Sequence, residues 1–180
     1  GTIMPVTIRP EWDLDDPADI KANRDGSVTF EGPVGDVFLP KDYLEILKIS
    51  DGIGLKDKDT WFLAYFPDGP VILEIEWLSD TNNLMGGAWR LAEGLDHEQP
   101  LVPEGYNIYI GKSFPHHLDM TKGEFDVLLC CLKDHHDYGK VFVWPRSDDP
   151  WMEGTNTIGL GFVADSFSDF MNNLTARENL

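Results

Sequence analysis

Short runs of aromatic and β-branched residues, each bounded by turn signals, restrict the fold of this chain more than any other feature. Five such runs span residues 61–66, 71–75, 106–111, 125–132 and 140–144. Runs of this length and composition are typical of strands, and Pro67-Asp68-Gly69-Pro70 between the first two is typical of a turn. The pattern therefore predicts a mostly antiparallel sheet.

Helical patterns lie on both sides of these runs. Residues 39–47 have proline where a first turn tolerates it and a stop signal at Asp51-Gly52, and residues 166–174 combine a Ser-x-x-Asp cap with an amphipathic face. Residues 77–95 also show helical spacing, although Gly86-Gly87 interrupts it. We expect an α+β fold, in which a mostly antiparallel twisted sheet of about five or six strands packs against a few helices.

The chain has the length of one domain with an extended terminus, at 180 residues. Residues 1–36 contain four prolines and an acidic cluster, Asp13, Asp15, Asp16 and Asp19, with little periodicity. We interpret them as an irregular N-terminal arm packed on a single domain, residues 37–180. Within the arm, residues 27–30 are predicted to form a short strand after the turn signal Asp25-Gly26.

Charge and cysteine usage limit the partners and the compartment. The formal net charge of −18 repels phosphate backbones and anionic lipid, so neither a nucleic acid nor a membrane is an expected partner. Excess acid either aids solubility alone or attracts a basic protein. No apolar run could span a bilayer, no export signal opens the sequence, and adjacent Cys130 and Cys131 do not suit a mutual disulfide, so we expect a cytoplasmic protein.

Motifs for catalysis are missing from the sequence. The histidine pairs His116-His117 and His135-His136 lack the spacing of a helical metal site, and no nucleophile elbow or phosphate-binding loop occurs. Cysteines within an apolar strand are usually inert. We expect no enzyme activity, no cofactor and no metal. A hydrolase that uses His116 or His135 remains an alternative.

Tryptophans beside acids are the strongest indication of a binding surface, because tryptophan is enriched at interface hot spots. Trp61 and Trp144 lie within predicted strands and are assigned to the core or a sheet face. The adjacency of aromatic and acidic residues in turns and loops gives the predicted partner-binding set: Trp77, Asp80, Trp89, Asp134, Asp137, Asp149 and Trp151. Exposed aromatic side chains are equally compatible with a weak homodimer.

The order of three segments resembles the SUKH superfamily, which includes the fungal cell-wall-synthesis regulator and many bacterial toxin-immunity proteins. The first is LPKDYLEILKISDG, residues 39–52. The second runs from Tyr106 to the Gly-Lys-Val-Phe-Val-Trp of residues 139–144. The third is VADSFSDFMNNL, residues 163–174.

This resemblance implies a SUKH-like α+β fold and a non-catalytic binding role. The implied function is that of an immunity protein, which neutralises a cognate polymorphic toxin, often a basic nuclease, by direct binding. The alternative that it implies is a scaffold or regulatory protein-interaction module related to the cell-wall regulator.

Overall fold

A computed structural model of the chain describes residues 4–30, 35–55, 58–82, 108–114, 125–145 and 160–180. Its elements, in chain order, are β1 Asp13–Leu14, β2 Val28–Phe30, β3 Gly35–Val37, α1 Lys41–Leu47, β4 Ile53–Gly54, β5 Trp61–Phe66, β6 Gly69–Leu78, β7 Ile108–Phe114, β8 Phe125–Leu129, β9 Val141–Pro145, β10 Gly161–Ala164, α2 Phe167–Asn172 and a final 3-10 turn, Arg177–Asn179. None of the helices in these ranges is long and apolar enough to cross a membrane.

Eight of the strands form one antiparallel sheet in the order β1-β4-β6-β5-β10-β9-β8-β7, and β2 pairs with β3 separately. A further pairing of β6 with β7 joins the sheet to itself, so β5 to β10 close into a barrel-like circuit. β6 can do this because its ten residues exceed the length of its neighbours. Its first part pairs with β5, and its last two residues pair with β4.

The α+β class predicted from the sequence is confirmed, and all five predicted strands are present. The first hairpin is tighter than predicted, because Phe66 pairs directly with Gly69 and leaves a two-residue turn. The predicted helix over residues 77–95 is wrong at its start, since Trp77 and Leu78 are the last residues of β6. Leu78 lies between Ile53 and Gly111 in the ladder, and these strand pairings override the helical spacing. Residues 83–95 lie outside the described residues.

Apolar side chains bury on both faces of the sheet. The larger cluster combines the barrel interior with the apolar faces of α1 and α2, and it includes Tyr43 packed edge-on against Phe167. A second cluster, on the opposite face of β7 to β10, contains Trp144, which is fully buried as predicted. Cys130 belongs to the second cluster and Cys131 to the first, so the adjacent thiols point to opposite faces as predicted.

The segment before α1 is tied to the rest of the chain by specific contacts. Trp12 is buried in the larger cluster. The guanidinium of Arg9 donates to four carbonyl oxygens, and three of them belong to the end of α2 and the residues after it, Met171, Asn172 and Leu174. The predicted strand at residues 27–30 is present as β2. The segment before α1 therefore contributes to the core.

Candidate functional site

The predicted partner-binding residues fall in different places. Trp77 and Asp80 lie at the end of β6 and line one cleft together. Asp134 and Asp137 lie in the loop between β8 and β9. The other three, Trp89, Asp149 and Trp151, lie outside the described residues. Within the described chain, the cleft that contains Trp77 is therefore the candidate binding site.

Three segments that are distant in the sequence build this cleft, which has a volume of about 300 Å³. One wall is β1 with the residue after it, the base is the turn between α1 and β4, and the other wall is the end of β6. The lining residues are Asp13, Leu14, Asp15, Asp51, Gly52, Ile53, Gly54, Trp77, Leu78, Ser79 and Asp80. We call this set the acidic cleft, since four of its side chains are carboxylates.

Glycine allows the two walls to approach the base. Gly52 has a φ of +88°, and a Cβ there would lie 3.0 Å from the Leu78 carbonyl oxygen and 3.1 Å from the Asp80 nitrogen. A side chain at Gly54 would lie 3.1 Å from the Cβ of Asp13. The Asp51-Gly52 signal that ends α1 thus also sets the distance between the turn and the end of β6.

The four carboxylates of the acidic cleft differ in their contacts and in their exposure. Asp51 accepts the backbone amide of Thr81 at 2.8 Å and the Thr81 hydroxyl at 3.1 Å, one on each oxygen. Asp51 therefore fixes the segment that follows β6. Asp13 and Asp15 are exposed and Asp80 is half-buried, so these three present negative charge at the surface of the cleft.

An exposed aromatic side chain also lines the acidic cleft. Trp77 is 38% exposed, and it shares a face of the sheet with Asp13, because both pair with Gly54. Partly exposed aromatic side chains beside polar groups are typical of interface anchors. The arrangement is suited to contact with another protein.

The acids on the N-terminal wall were not in the predicted binding set. The sequence did give a signal, since Asp13 and Asp15 belong to the acidic cluster of the arm and Asp13 follows Trp12. The sequence did not indicate that Asp13 pairs with Gly54 and Leu14 with Ile53. These pairings bring the N-terminal wall against β4.

The loop between β8 and β9 is held by its own hydrogen bonds. Its backbone turns join His135 to Leu132, Tyr138 to His135 and Lys140 to Asp137. The Tyr138 hydroxyl donates to the Phe38 carbonyl oxygen at 2.7 Å. Asp134 and Asp137 are thereby placed beside the segment that precedes α1, whereas the acidic cleft lies at the other end of that helix.

Histidines in this loop are the described residues most suited to a metal. His135, His136 and Asp137 bring donor atoms within 4.8 Å of one another. However, His135 Nδ1 accepts the Asp137 amide at 3.0 Å, so the proton of the neutral ring lies on Nε2 and neither nitrogen offers a lone pair. Asp137 also pairs with Lys140 at 3.3 Å. A metal would have to displace both contacts. His116 lies outside the described residues.

The buried thiols are unsuited to nucleophilic chemistry. Burial raises the pKa of the Cys130 thiol and raises that of Cys131 well above its ordinary value. Both are free and fully or almost fully buried, so they stay protonated at neutral pH. This agrees with their interpretation from the sequence as core residues.

Comparison with protein families places this fold among known proteins. The model of the SMI1 / KNR4 family (SUKH-1) matches residues 36–173, which is most of the chain. Comparison with curated proteins and with solved structures found no match. Membership in the family supports an immunity or regulatory role through protein–protein interaction, and its members are generally non-catalytic. With the order of its segments and its α+β fold in agreement, the chain belongs to the SMI1 / KNR4 family, SUKH-1.

Proposed function

We propose that this protein is an immunity protein that binds and neutralises a basic toxin domain, of the nuclease type, in the cytoplasm. The observation that carries the proposal is the acidic cleft, in which exposed Trp77 lies among carboxylates on a chain of net charge −18. Family membership supports a protein partner. Complementary charge supports a basic one.

Neutralisation would be stoichiometric and would need no reaction. Long-range attraction between an acidic surface and a basic protein raises the association rate, and the buried aromatic contact then slows dissociation. Trp77 would supply apolar contact, and Asp13, Asp15 and Asp80 would supply the charge. Asp134 and Asp137, at the other end of α1, would widen the acidic surface.

The first experiment is co-purification of the tagged protein from its native host at low and at high salt. We expect one basic protein to be retained at low salt and released at high salt. The proposal holds when that protein is toxic if expressed alone and harmless if co-expressed with this chain. Retention of several housekeeping proteins would instead favour the scaffold or regulatory role.

Charge reversal then tests the surface. Asp80→Lys should slow association with the purified partner and reduce its dependence on salt. Asp68→Lys is the matched control, because Asp68 is exposed in the turn at the other end of β6, roughly 30 Å along the strand. Equal effects of the two substitutions would mean that net charge alone matters and that the cleft is not the binding site.

A further inference from the structure

A histidine ring closes the turn in the loop between β8 and β9. The backbone amide of Asp137 donates to Nδ1 of His135, two positions earlier in the chain, at 3.0 Å. The next amide, that of Tyr138, donates to the His135 carbonyl oxygen at 3.0 Å. An asparagine or aspartate side chain makes the same contact with an amide two positions on in an Asx turn. The ring of His135 therefore serves as an acceptor that fixes the position of Asp137.

This hydrogen bond and a second proton on the ring exclude each other. Because Nδ1 is the acceptor, the proton of the neutral imidazole lies on Nε2, and Nδ1 is the only nitrogen that can take up another. After that uptake, the Nδ1–H of His135 and the N–H of Asp137 would face each other across the same 3.0 Å, and neither group can accept. The neutral ring thus makes the contact, and the protonated ring breaks it.

A second histidine raises the cost of protonating the closed loop. The rings of His135 and His136 are stacked, with centroids 4.3 Å apart and an angle of 23° between their planes. The side chain of His136 is 81% exposed, and its Nε2 lies 3.3 Å from Oδ2 of Asp137. A protonated His136 pairs with that carboxylate, whose other oxygen lies 3.3 Å from Nζ of Lys140. A further positive charge on the stacked His135 ring is then repelled, and opening of the turn relieves this repulsion.

The two histidines are the groups of this region that are suited to a change of charge near neutral pH. Burial raises the pKa of Tyr138 to about 12, and it also raises the pKa of the thiols of Cys130 and Cys131. Carboxylates ordinarily titrate below this range and amines above it, whereas imidazole titrates between about pH 5 and 8. The charged groups that lie in the loop or interact with it from other described segments are Asp25, Asp42, Lys133, Asp134, Asp137 and Lys140.

We infer that His135 is a proton-sensitive switch of the loop between β8 and β9. The neutral ring holds the turn closed and fixes Asp137, and uptake of a proton at Nδ1 opens the turn. Asp134 and Asp137 of the predicted binding set both lie in this loop, so the acidic surface at this end of α1 changes as the pH falls. The switch is a property of the chain alone and does not depend on a partner.

The test is amide hydrogen exchange of the full chain, followed residue by residue with nuclear magnetic resonance at about pH 7.5 and about pH 5.5. Each rate is divided into the intrinsic rate of the same amide at that pH, which gives a protection factor. We expect the protection of the Asp137 amide to fall by about three- to tenfold at the lower pH, as the loss of one hydrogen bond predicts. The Gly139 amide, which donates to the Cys130 carbonyl oxygen at 2.8 Å, is the internal reference and should keep its protection.

Two variants assign the response to one ring. His135→Asn supplies a side-chain oxygen that accepts the same amide as in an Asx turn and does not ionise, so the protection of Asp137 should be equal at the two pH values. His136→Asn is the matched control, because it removes the neighbouring imidazole and leaves Nδ1 of His135 in place. The loss of protection at low pH should persist in it. The unfolding midpoint of each variant shows that it is folded.

Unchanged protection of Asp137 in the wild-type protein at the two pH values would overturn the inference. The same loss in His135→Asn as in the wild-type protein would overturn it as well, since the proton would then act elsewhere. A response that disappears in His136→Asn would assign the switch to the other ring, and an equal loss at Gly139 would mean that more than the turn opens. None of these measurements uses the natural partner, so the co-purification result bears on the proposed function alone.

Discussion

The carboxylate of Asp42, in the first turn of α1, accepts both the backbone amide and the hydroxyl of Ser168, each at 2.9 Å. Its other oxygen accepts the amide of Tyr43 at 2.9 Å. Ser168 lies in the first turn of α2, where backbone amides have no partner within the helix. A negative charge at this position also interacts favourably with the helix dipole. One buried side chain thus joins the two helices across 126 positions of sequence.

Removal of this carboxylate should destabilise the protein strongly. Asp42→Ala leaves the amide and hydroxyl of fully buried Ser168 without their acceptor, and we expect a loss of about 2–4 kcal/mol in the free energy of unfolding. Urea denaturation measures it. Glu45→Ala, on the exposed side of α1, is the control and should change the free energy by less than about 0.5 kcal/mol. A loss below about 1 kcal/mol for Asp42→Ala would contradict the role assigned to this contact.

Substitution of two glycines, Gly52 and Gly26, distinguishes the cost of backbone strain from the cost of close packing at the acidic cleft. Gly52 and Gly26 have nearly the same φ, +88° and +87°, but a Cβ at Gly26 would have nothing within 4 Å, whereas one at Gly52 would meet the end of β6. Gly26→Ala should therefore cost only the strain of a left-handed residue, about 1–2 kcal/mol.

Gly52→Ala should cost more than Gly26→Ala, because its Cβ meets backbone atoms that can move only with the strand. We expect an additional loss of about 1–3 kcal/mol, comparable to overpacking of a core. Thermal unfolding of both variants provides the comparison. Equal losses of stability in the two variants would mean that the end of β6 shifts at no cost in free energy. Gly52 would then not set the width of the cleft.

The features of this fold that could be predicted from the sequence are those that depend on a few neighbouring residues. The Ser166 cap is an example, because its hydroxyl accepts the Asp169 amide at 3.0 Å as the Ser-x-x-Asp spacing predicted. Strands with aromatic and β-branched residues were also recognised, since composition and turn signals act over a few neighbouring residues. The helix predicted to begin at Trp77 failed at its start because partners from β4 and β7 decide the conformation there.

Contacts between distant segments account for what the sequence could not predict of the site. Trp77 and Asp80 were predicted as binding residues from their adjacency, but nothing near them indicated Asp13 or Asp15 as neighbours. Those acids reach the cleft through the pairing of β1 with β4, and two-residue strands have no periodicity to recognise. The anchoring of this wall by Arg9 likewise joins positions more than 160 residues apart.

Arg9 should hold the N-terminal wall of the cleft in place. Its guanidinium reaches the carbonyls of Asp59 and of the residues that end α2, so Arg9→Ala leaves these acceptors to water and releases the segment before Trp12. We expect faster amide hydrogen exchange at residues 5–16 and a loss of about 1–3 kcal/mol. Arg24→Ala, at an exposed position of the same arm, should change neither quantity. Unchanged exchange in Arg9→Ala would show that β1 pairing alone fixes the wall.

Stability should fall at alkaline pH because groups that ionise in the unfolded chain stay protonated in the folded one. Burial raises the pKa of Cys131 well above its ordinary value, and burial raises that of Tyr138 to about 12. An unfolded thiol releases its proton near pH 8.5. Above that pH the unfolded state binds fewer protons at this thiol than the folded state, so the thiol's contribution to the free energy of unfolding decreases as pH rises, and it is constant well below that pH.

The thiol of Cys131 should account for a measurable part of this decrease. Between pH 7.5 and 9.5 we expect it to cost about 1 kcal/mol, read from urea midpoints at the two pH values. Cys131→Ala should be less stable at pH 7.5, since it leaves a small cavity in the core, yet it should lose less stability on going to pH 9.5. Tyr138 adds to the decrease only above about pH 10, where an unfolded phenol ionises. If the stability of the wild-type protein and of Cys131→Ala depended on pH in the same way, the thiol would ionise in the folded state. That result would contradict the raised pKa that its burial causes.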